Sequence, residues 1–328
     1  MAAHGGTTTS YWAAGTELTR PPLDHDASCD ACVIGAGMAG LSVAYELAAA
    51  GKIVIVIDAD VPGGGETGRT TTHLTNAFDD RYANIERHLG GDAARLVAQS
   101  HTAAIGRIEA ICRVESIACG FERVDGYLFA ESQDAQDVLA KELQAAHRAG
   151  LTEVVQVDGI RTGTTTLGPA LHFPRQGQFH PLKYLEGLLG AIERKGGKVY
   201  GNTRALTVED GNPVTVRTAS GNGIRASAAI VATNTPFNDR FAIHTKQAAY
   251  RTFVVGMKVL PHSMPNCQFW DTGDPYHYVR IAGNLDEAHQ LLISGGEDHK
   301  VGQANDADRR FDRLTQWTRR RFPVIGEP

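Results

Sequence analysis

Residues 33–60, VIGAGMAGLSVAYELAAAGKIVIVIDAD, constrain the fold more than any other stretch of the chain. An apolar run at residues 31–34 reads as a buried strand. Gly35, Gly37 and Gly40 then supply a G-x-G-x-x-G turn, and residues 38–50 read as a helix stopped at Gly51. A second apolar strand at residues 53–57 ends at Asp58. Strand, glycine turn, helix and second strand in that order begin a doubly wound, Rossmann-type α/β sheet.

Each glycine has its own physical task. Gly35 permits the tight turn, Gly37 lets backbone approach a diphosphate, and Gly40 lets helix and strand close on one another. Met38 and Ala39 open the helix, where N–H groups without intrahelical partners suit phosphate oxygens. Asp58 stands roughly 20 residues beyond the first glycine, the spacing at which an acid accepts hydrogen bonds from a ribose hydroxyl. An acid there disfavours a 2′-phosphate, so FAD or NAD is expected rather than NADP.

With 328 residues, 42% hydrophobic and 21% charged, the chain is long enough for two interlocked domains. A formal net charge of −5 argues against general binding to nucleic acid. The N-terminus lacks a signal-type apolar segment, and nowhere do about 18 apolar residues follow one another, so no membrane span and a cytoplasmic location are expected. Five scattered cysteines do not resemble a disulfide framework. Cys29 and Cys32 form a C-x-x-C pair that enters a strand instead of opening a helix, which argues against a thioredoxin-like role.

After Asp58 comes VPGGGETGRTTTHLTNAFDDRY, a glycine-rich turn able to pass close to a ligand, with Arg69 and three threonines behind it. Such a loop can wrap an extended dinucleotide. Helical patterns follow at residues 81–89, 92–117 and 134–148, with a short strand near 126–130. A Pro181-started helix sets Leu182, Leu185, Leu188, Leu189 and Ile192 on one face. Strands are expected at 205–208, 214–218 and 229–232, the last leaving through Ala232, Thr233 and Asn234 as if to line a crevice. From Tyr250 long β-rich runs predict an antiparallel second lobe, closed by a helix at 306–321. Only the first thirty residues look linker-like.

In its segment order the chain resembles the flavoprotein family of D-amino-acid oxidase, glycine oxidase and sarcosine oxidase, from about Asp30 to Pro323. The carriers are the fingerprint with Asp58, the loop GGGETGR, the helix start FHPLKYLEGLL and the strand exit IVATNTP. Within that family it is most similar to a bacterial branch in which SYW, GRTTTHLTN, WDTGDPYHYVR and SGGEDHKVGQ occur together and a Rieske iron–sulfur domain often follows. The resemblance implies a Rossmann-type FAD-binding domain at residues 29–110 and 176–240. It implies an interleaved antiparallel substrate domain at 111–175 and 241–328, after an N-terminal extension at 1–28. The cofactor implied is FAD, with adenosine near Asp58, Ala59 and Arg69, diphosphate at Gly35 to Gly40, and ring near Thr72 and His73. Gly68 and Thr70 belong to the same loop, and backbone of the strand holding Ala205 would contact adenine. No Rieske ligands are present, and relatives continue past the closing FP into a strand and turn over the flavin. A fragment lacking that segment is therefore expected.

The activity implied is oxidation of a C–N bond in an amine or amino acid by hydride transfer to flavin, with dioxygen or an iron–sulfur partner as electron acceptor. A carboxylate-bearing substrate calls for a guanidinium fork. Arg280 is the first choice, on a strand whose alternation sets Tyr276, Tyr278 and Arg280 on one face. A structural ion pair between Arg280 and an acid such as Glu297 is the equal alternative. Tyr278 would line the amine pocket, and His73 would position the flavin. The aspartates and histidines of WDTGDPYHY and GGEDH match no ligand spacing, so no metal is expected. An NAD-linked dehydrogenase and a non-catalytic flavin-binding subunit are the rival readings.

Overall fold

The computed structural model describes residues 10–16, 18–132, 135–235, 237 and 247–326. The chain divides into two units, each assembled from three separate stretches. Unit 1 comprises Met1–Thr70, Ala110–Gly120 and His180–Gln247. Its six-stranded sheet centres on β1 (Ala27–Ile34), flanked by β2 (Val54–Ile57) and the strand Gly223–Val231, both parallel to it. Lys198–Tyr200 adds a parallel edge beside β2, while Val214–Thr218 and Ala205–Glu209 continue the other side antiparallel. All four residues of β2 are buried, as expected of a parallel strand covered on both faces. Cys32, Ile34, Ile55, Ile57, Val216 and Ile224 form one core cluster of this unit. Helix α1 (Met38–Ala49) packs against the helix Pro181–Arg194, whose N-cap His180 accepts from Lys183 N–H through its ring at 3.3 Å.

Unit 2 comprises Thr71–Glu109, Phe121–Phe179 and Ala248–Pro328. Its large sheet runs from Val324–Ile325 through Tyr250–Val259, Gln290–Lys300, Tyr278–Asn284, Gln268–Asp271, Glu122–Phe129 and Ala170–Gln178 to His73–Leu74. Pairing is antiparallel except where Gln268–Asp271 meets Glu122–Phe129 in parallel. The helix Ala307–Arg321 covers this sheet, burying Leu314 and Trp317.

The two units cut the chain elsewhere than the expected segments. Residues 71–109 belong with unit 2 instead of the FAD-binding segment 29–110, residues 110–120 belong with unit 1, and the later boundary falls at 180 instead of 176. The helix Gly91–Val114 accounts for much of this. Early in it, Ala94 and Ala98 join a cluster with Tyr82, Ala145 and Ala149 in unit 2. Beyond its end, Ile117 lies where a Cβ on Gly187 of unit 1 would meet it at 2.5 Å. Helical periodicity identifies an apolar face and does not say which core receives it.

The N-terminal stretch is no linker from residue 10 onward. Trp12, Leu18 and Leu23 are all buried, and Trp12 Nε1 donates to the Thr70 carbonyl at 2.7 Å. The apolar pattern does not mark the long strand Ala170–Gln178, because its interior carries Pro174, Arg175 and Gln176.

Candidate functional site

In unit 1 the glycine turn is held by close backbone packing. Gly35 has φ +110°, and its N–H donates to the Ile57 carbonyl at 2.8 Å. A Cβ on Gly35 would lie 2.6 Å from the Ala232 carbonyl oxygen, and a Cβ on Gly40 would lie 1.8 Å from the carbonyl oxygen of Gly35. Ala232 N–H in turn donates to Ile34 O at 2.8 Å, so the exit of the strand Gly223–Val231 forms one wall of the turn. Gly37 is the N-cap of α1 and brings no side chain to the first-turn amides of Met38, Ala39 and Gly40. A helix start with a bare cap favours an anion.

Asp58 does more than the sequence implied. Its Oδ2 accepts from Ala36 N–H at 2.6 Å and its Oδ1 from Asp60 N–H at 3.0 Å, so the carboxylate braces the glycine turn itself. Desolvation raises its pKa, against those two backbone donors. Each oxygen retains a second lone pair for a hydroxyl donor. Arg204 also acts on this carboxylate, favouring its charged form. Thr203 N–H donates to Asp58 O at 2.6 Å, which brings the stretch leading into Ala205 beside the acid.

The GGGETGR loop joins the turn directly, since Gly63 N–H donates to Ala36 O at 3.0 Å. A short 3-10 turn, Glu66–Arg69, follows and carries Gly68 buried inside it. It also delivers Thr67, a residue the sequence reading missed, whose Oγ1 accepts from Met38 N–H at 3.0 Å. The signal was one more hydroxyl in a polar loop, with nothing in the spacing to aim it at a helix start. Ala59 and Asn234 are exposed, and Thr233 Oγ1 donates to Thr235 O at 2.9 Å.

Unit 2 gathers the substrate-side candidates. His73 pairs its backbone with Gln178, and its ring lies 5.4 Å edge-on to Tyr278 and 5.8 Å from Trp270. Its Nε2 lies 3.4 Å from the Val279 carbonyl and its Nδ1 3.2 Å from Thr71 Oγ1. Desolvation foremost, then the charge of Arg280, pushes the imidazole down to about 3, so it stays neutral. Arg280 is fully buried and its Nη2 donates to Phe179 O at 3.2 Å. Glu297, the acid weighed as its ion-pair partner, is engaged by Arg313 at 2.6 Å, with His277 Nε2 at 3.6 Å. Thr72 is buried with φ +56° in the approach to His73. His73, Tyr278 and Arg280 therefore come together, while Gly35, Gly37, Gly40, Asp58, Gly68, Ala205 and Ala232 gather in unit 1.

The model of a family described as FAD dependent oxidoreductase matches residues 30–328. The chain belongs to this family. A relative in Bacillus subtilis, YhfW, is named as a Rieske 2Fe–2S iron–sulfur protein. It is 30% identical over 311 residues, covering 94% of this chain and 60% of that protein. The gamma-glutamylputrescine oxidoreductase of Escherichia coli is 30% identical over 260 residues, covering 77% of the chain and 60% of that protein. The chain thus spans about 60% of the length of these curated relatives. Glycine oxidase from Geobacillus kaustophilus shares the fold at TM-score 0.65 and 15% identity, over 92% of this chain and 81% of that one. The L-amino acid deaminase from Proteus vulgaris with its specific insertion deleted gives a TM-score of 0.70 at 13% identity, over 95% of this chain and 78% of that one.

The family's cofactor is FAD, which displaces the rival expectation of NAD. The residues present fit it: Gly37 brings no side chain to the helix start, where Thr67 Oγ1 takes Met38 N–H at 3.0 Å, a Cβ on Gly37 would meet Thr67 Oγ1 at 3.2 Å, and Asp58 keeps acceptor capacity beside the turn. Among the described residues no helix is long and apolar enough to cross a membrane.

Proposed function

We propose that this chain belongs to an enzyme that oxidises the C–N bond of an amine or amino acid, with dioxygen or an iron–sulfur partner as electron acceptor. Bound FAD supplies acceptance of a hydride equivalent; the protein supplies binding and orientation. In this reading the substrate carbon next to nitrogen would give up a hydride equivalent to that bound cofactor, and the resulting imine would be hydrolysed by water. The glycine turn and the start of α1 hold the diphosphate, with Met38, Ala39 and Thr67 at the helix start. Asp58, Ala59, Arg204 and Ala205 serve the adenosine end, Gly68, Arg69 and Thr70 the loop over it, and Thr233 and Asn234 the strand exit. Thr72 and His73 position the ring.

On the substrate side Arg280 recognises a carboxylate and Tyr278 lines the amine pocket. A neutral His73 accepts or donates a hydrogen bond without competing for the substrate's charge. The observation that carries the reading is the bare helix cap behind Gly35 and Gly40, packed as a diphosphate turn requires. The E. coli relative, named for an amine substrate, supports the C–N chemistry, and the B. subtilis name supports an iron–sulfur acceptor.

The test is anaerobic titration of the flavin-loaded chain with a panel of amines and amino acids. Bleaching of the visible flavin band by one of them, and its recovery on admitting air or an iron–sulfur acceptor, is the expected result. A chain that takes up flavin, bleaches with dithionite and ignores every amine would sink the proposal.

A further inference from the structure

We propose that Cys112 and Cys119 are a modification site, a dithiol that peroxide oxidises reversibly to an intramolecular disulfide. Cys112 occupies the last turn of the helix Gly91–Val114, and the chain then doubles back. Ile117 N–H donates to Cys112 O at 2.8 Å, Cys119 N–H to Ile117 O at 3.0 Å, and Ser116 takes φ +55°. This reversal sets the two sulfurs 3.4 Å apart, both buried. A disulfide bond measures about 2.05 Å, so side-chain rotation plus a small approach completes it. The fold has already met the cost of bringing the two residues together.

The pair is anchored from the side of the helix Pro181–Arg194. His180 N–H donates to Cys119 O at 2.8 Å, and Ile117 sits against Gly187. Tyr184, on the same helix, is buried near both sulfurs, and burial foremost, then negative charge on either, opposes ionisation of its phenol. From His180 the contacts continue to Trp12, ring to ring at 4.9 Å, and from Trp12 Nε1 to Thr70 O at 2.7 Å. The dithiol therefore lies three contacts from the end of the Glu66–Arg69 turn.

The chemistry balances with a peroxide as oxidant. One thiolate attacks the O–O bond, giving a sulfenic acid and water. The second thiol displaces the sulfenic oxygen as a second water and forms S–S, so two electrons pass from sulfur to peroxide. An enzyme of this class reoxidised by dioxygen releases hydrogen peroxide; the geometry of the pair does not depend on that reading.

The C-x-x-C pair that sequence would nominate is the wrong one. Three steps along a strand separate Cys29 and Cys32 by about 10 Å, beyond the reach of a disulfide.

The full-length chain, reduced and then treated with stoichiometric hydrogen peroxide, is quenched by alkylation, digested and mapped by mass spectrometry. The expected result is a Cys112–Cys119 cross-link, about 2 Da lighter than the dithiol and reversed by dithiothreitol, with no cross-link between Cys29 and Cys32. Cys119→Ser should abolish the cross-link and leave Cys112 trapped by a sulfenic-acid probe. Wild-type protein whose Cys112 and Cys119 both stay alkylatable, or oxidise further without cross-linking, overturns the proposal whether or not the variant folds.

Discussion

Gly40→Ala and Gly106→Ala make the same chemical change inside helices and should move stability in opposite directions. Replacing glycine by alanine in a helix gains up to about 1 kcal/mol from backbone entropy and propensity. At Gly106, in the helix Gly91–Val114, the nearest atom to the new Cβ is the end of a flexible Arg123 guanidinium at 3.9 Å, so the gain should be realised. At Gly40 the new Cβ would sit 1.8 Å from the Gly35 carbonyl oxygen, which would have to withdraw to at least 3.0 Å. That oxygen belongs to a residue at φ +110° whose own Cβ position is walled by Ala232, so it has nowhere cheap to go. Overpacking against backbone costs about 3 kcal/mol at the top of the usual range, leaving Gly40→Ala about 2 kcal/mol less stable than wild type. Urea unfolding of both variants, with flavin retention on gel filtration as a second readout, measures the contrast. If Gly40→Ala is as stable as wild type and keeps its flavin, the account of the turn is wrong.

Four further outcomes follow from the same geometry. Asp58→Ala removes the acceptor that braces Ala36 N–H at 2.6 Å and should weaken FAD binding about ten-fold, read by flavin fluorescence titration. His73 titrates near 3 in the folded chain against an ordinary 6.5, so the unfolded state takes up a proton first as pH falls between those values. Stability from this group is full above 6.5 and lost as pH drops toward 3, and His73→Asn should show a smaller fall in urea midpoint between pH 7 and pH 4. Glu115 is held at about 2, chiefly by the Lys195 hydrogen bond and also by Tyr45 and Arg194. Its contribution is present above the ordinary carboxylate value and fades as pH falls through 2, and Glu115→Gln should cost about 1 kcal/mol at neutral pH and nothing once the acid is protonated. Trp12→Ala should cost about 3 kcal/mol in thermal or urea unfolding, where a true linker would cost nothing.

The nucleotide half was legible because its constraints are local. A parallel strand, a glycine turn and an acid about 20 residues on are adjacent in sequence, and their contacts form between near neighbours. Even there, the carboxylate of Asp58 grips Ala36, and Thr67 reaches the helix start from a loop with no distinguishing pattern. Alternation along PYHYVR groups Tyr276 and Tyr278 with Arg280, but the strand begins at Tyr278, so Tyr276 lies outside it, and the pattern could not say that Glu297 is taken by Arg313 from a helix that follows it. Allegiance of the middle segments was illegible for a plainer reason. Gly91–Val114 is one helix by periodicity and serves two cores, a fact carried by the residues it meets and not by its own sequence.

The central position of β1 has a consequence for how this chain is made. One of its neighbours, Val54–Ile57, is synthesised soon after it, but the other, Gly223–Val231, emerges from the ribosome nearly two hundred residues later. Through most of translation an apolar strand edge waits unpaired, and late closure of this kind slows folding and invites misassociation. Nascent-chain survival, rather than the final stability of the sheet, should therefore limit the yield of soluble protein, and a chaperone that shields extended apolar segments should raise it.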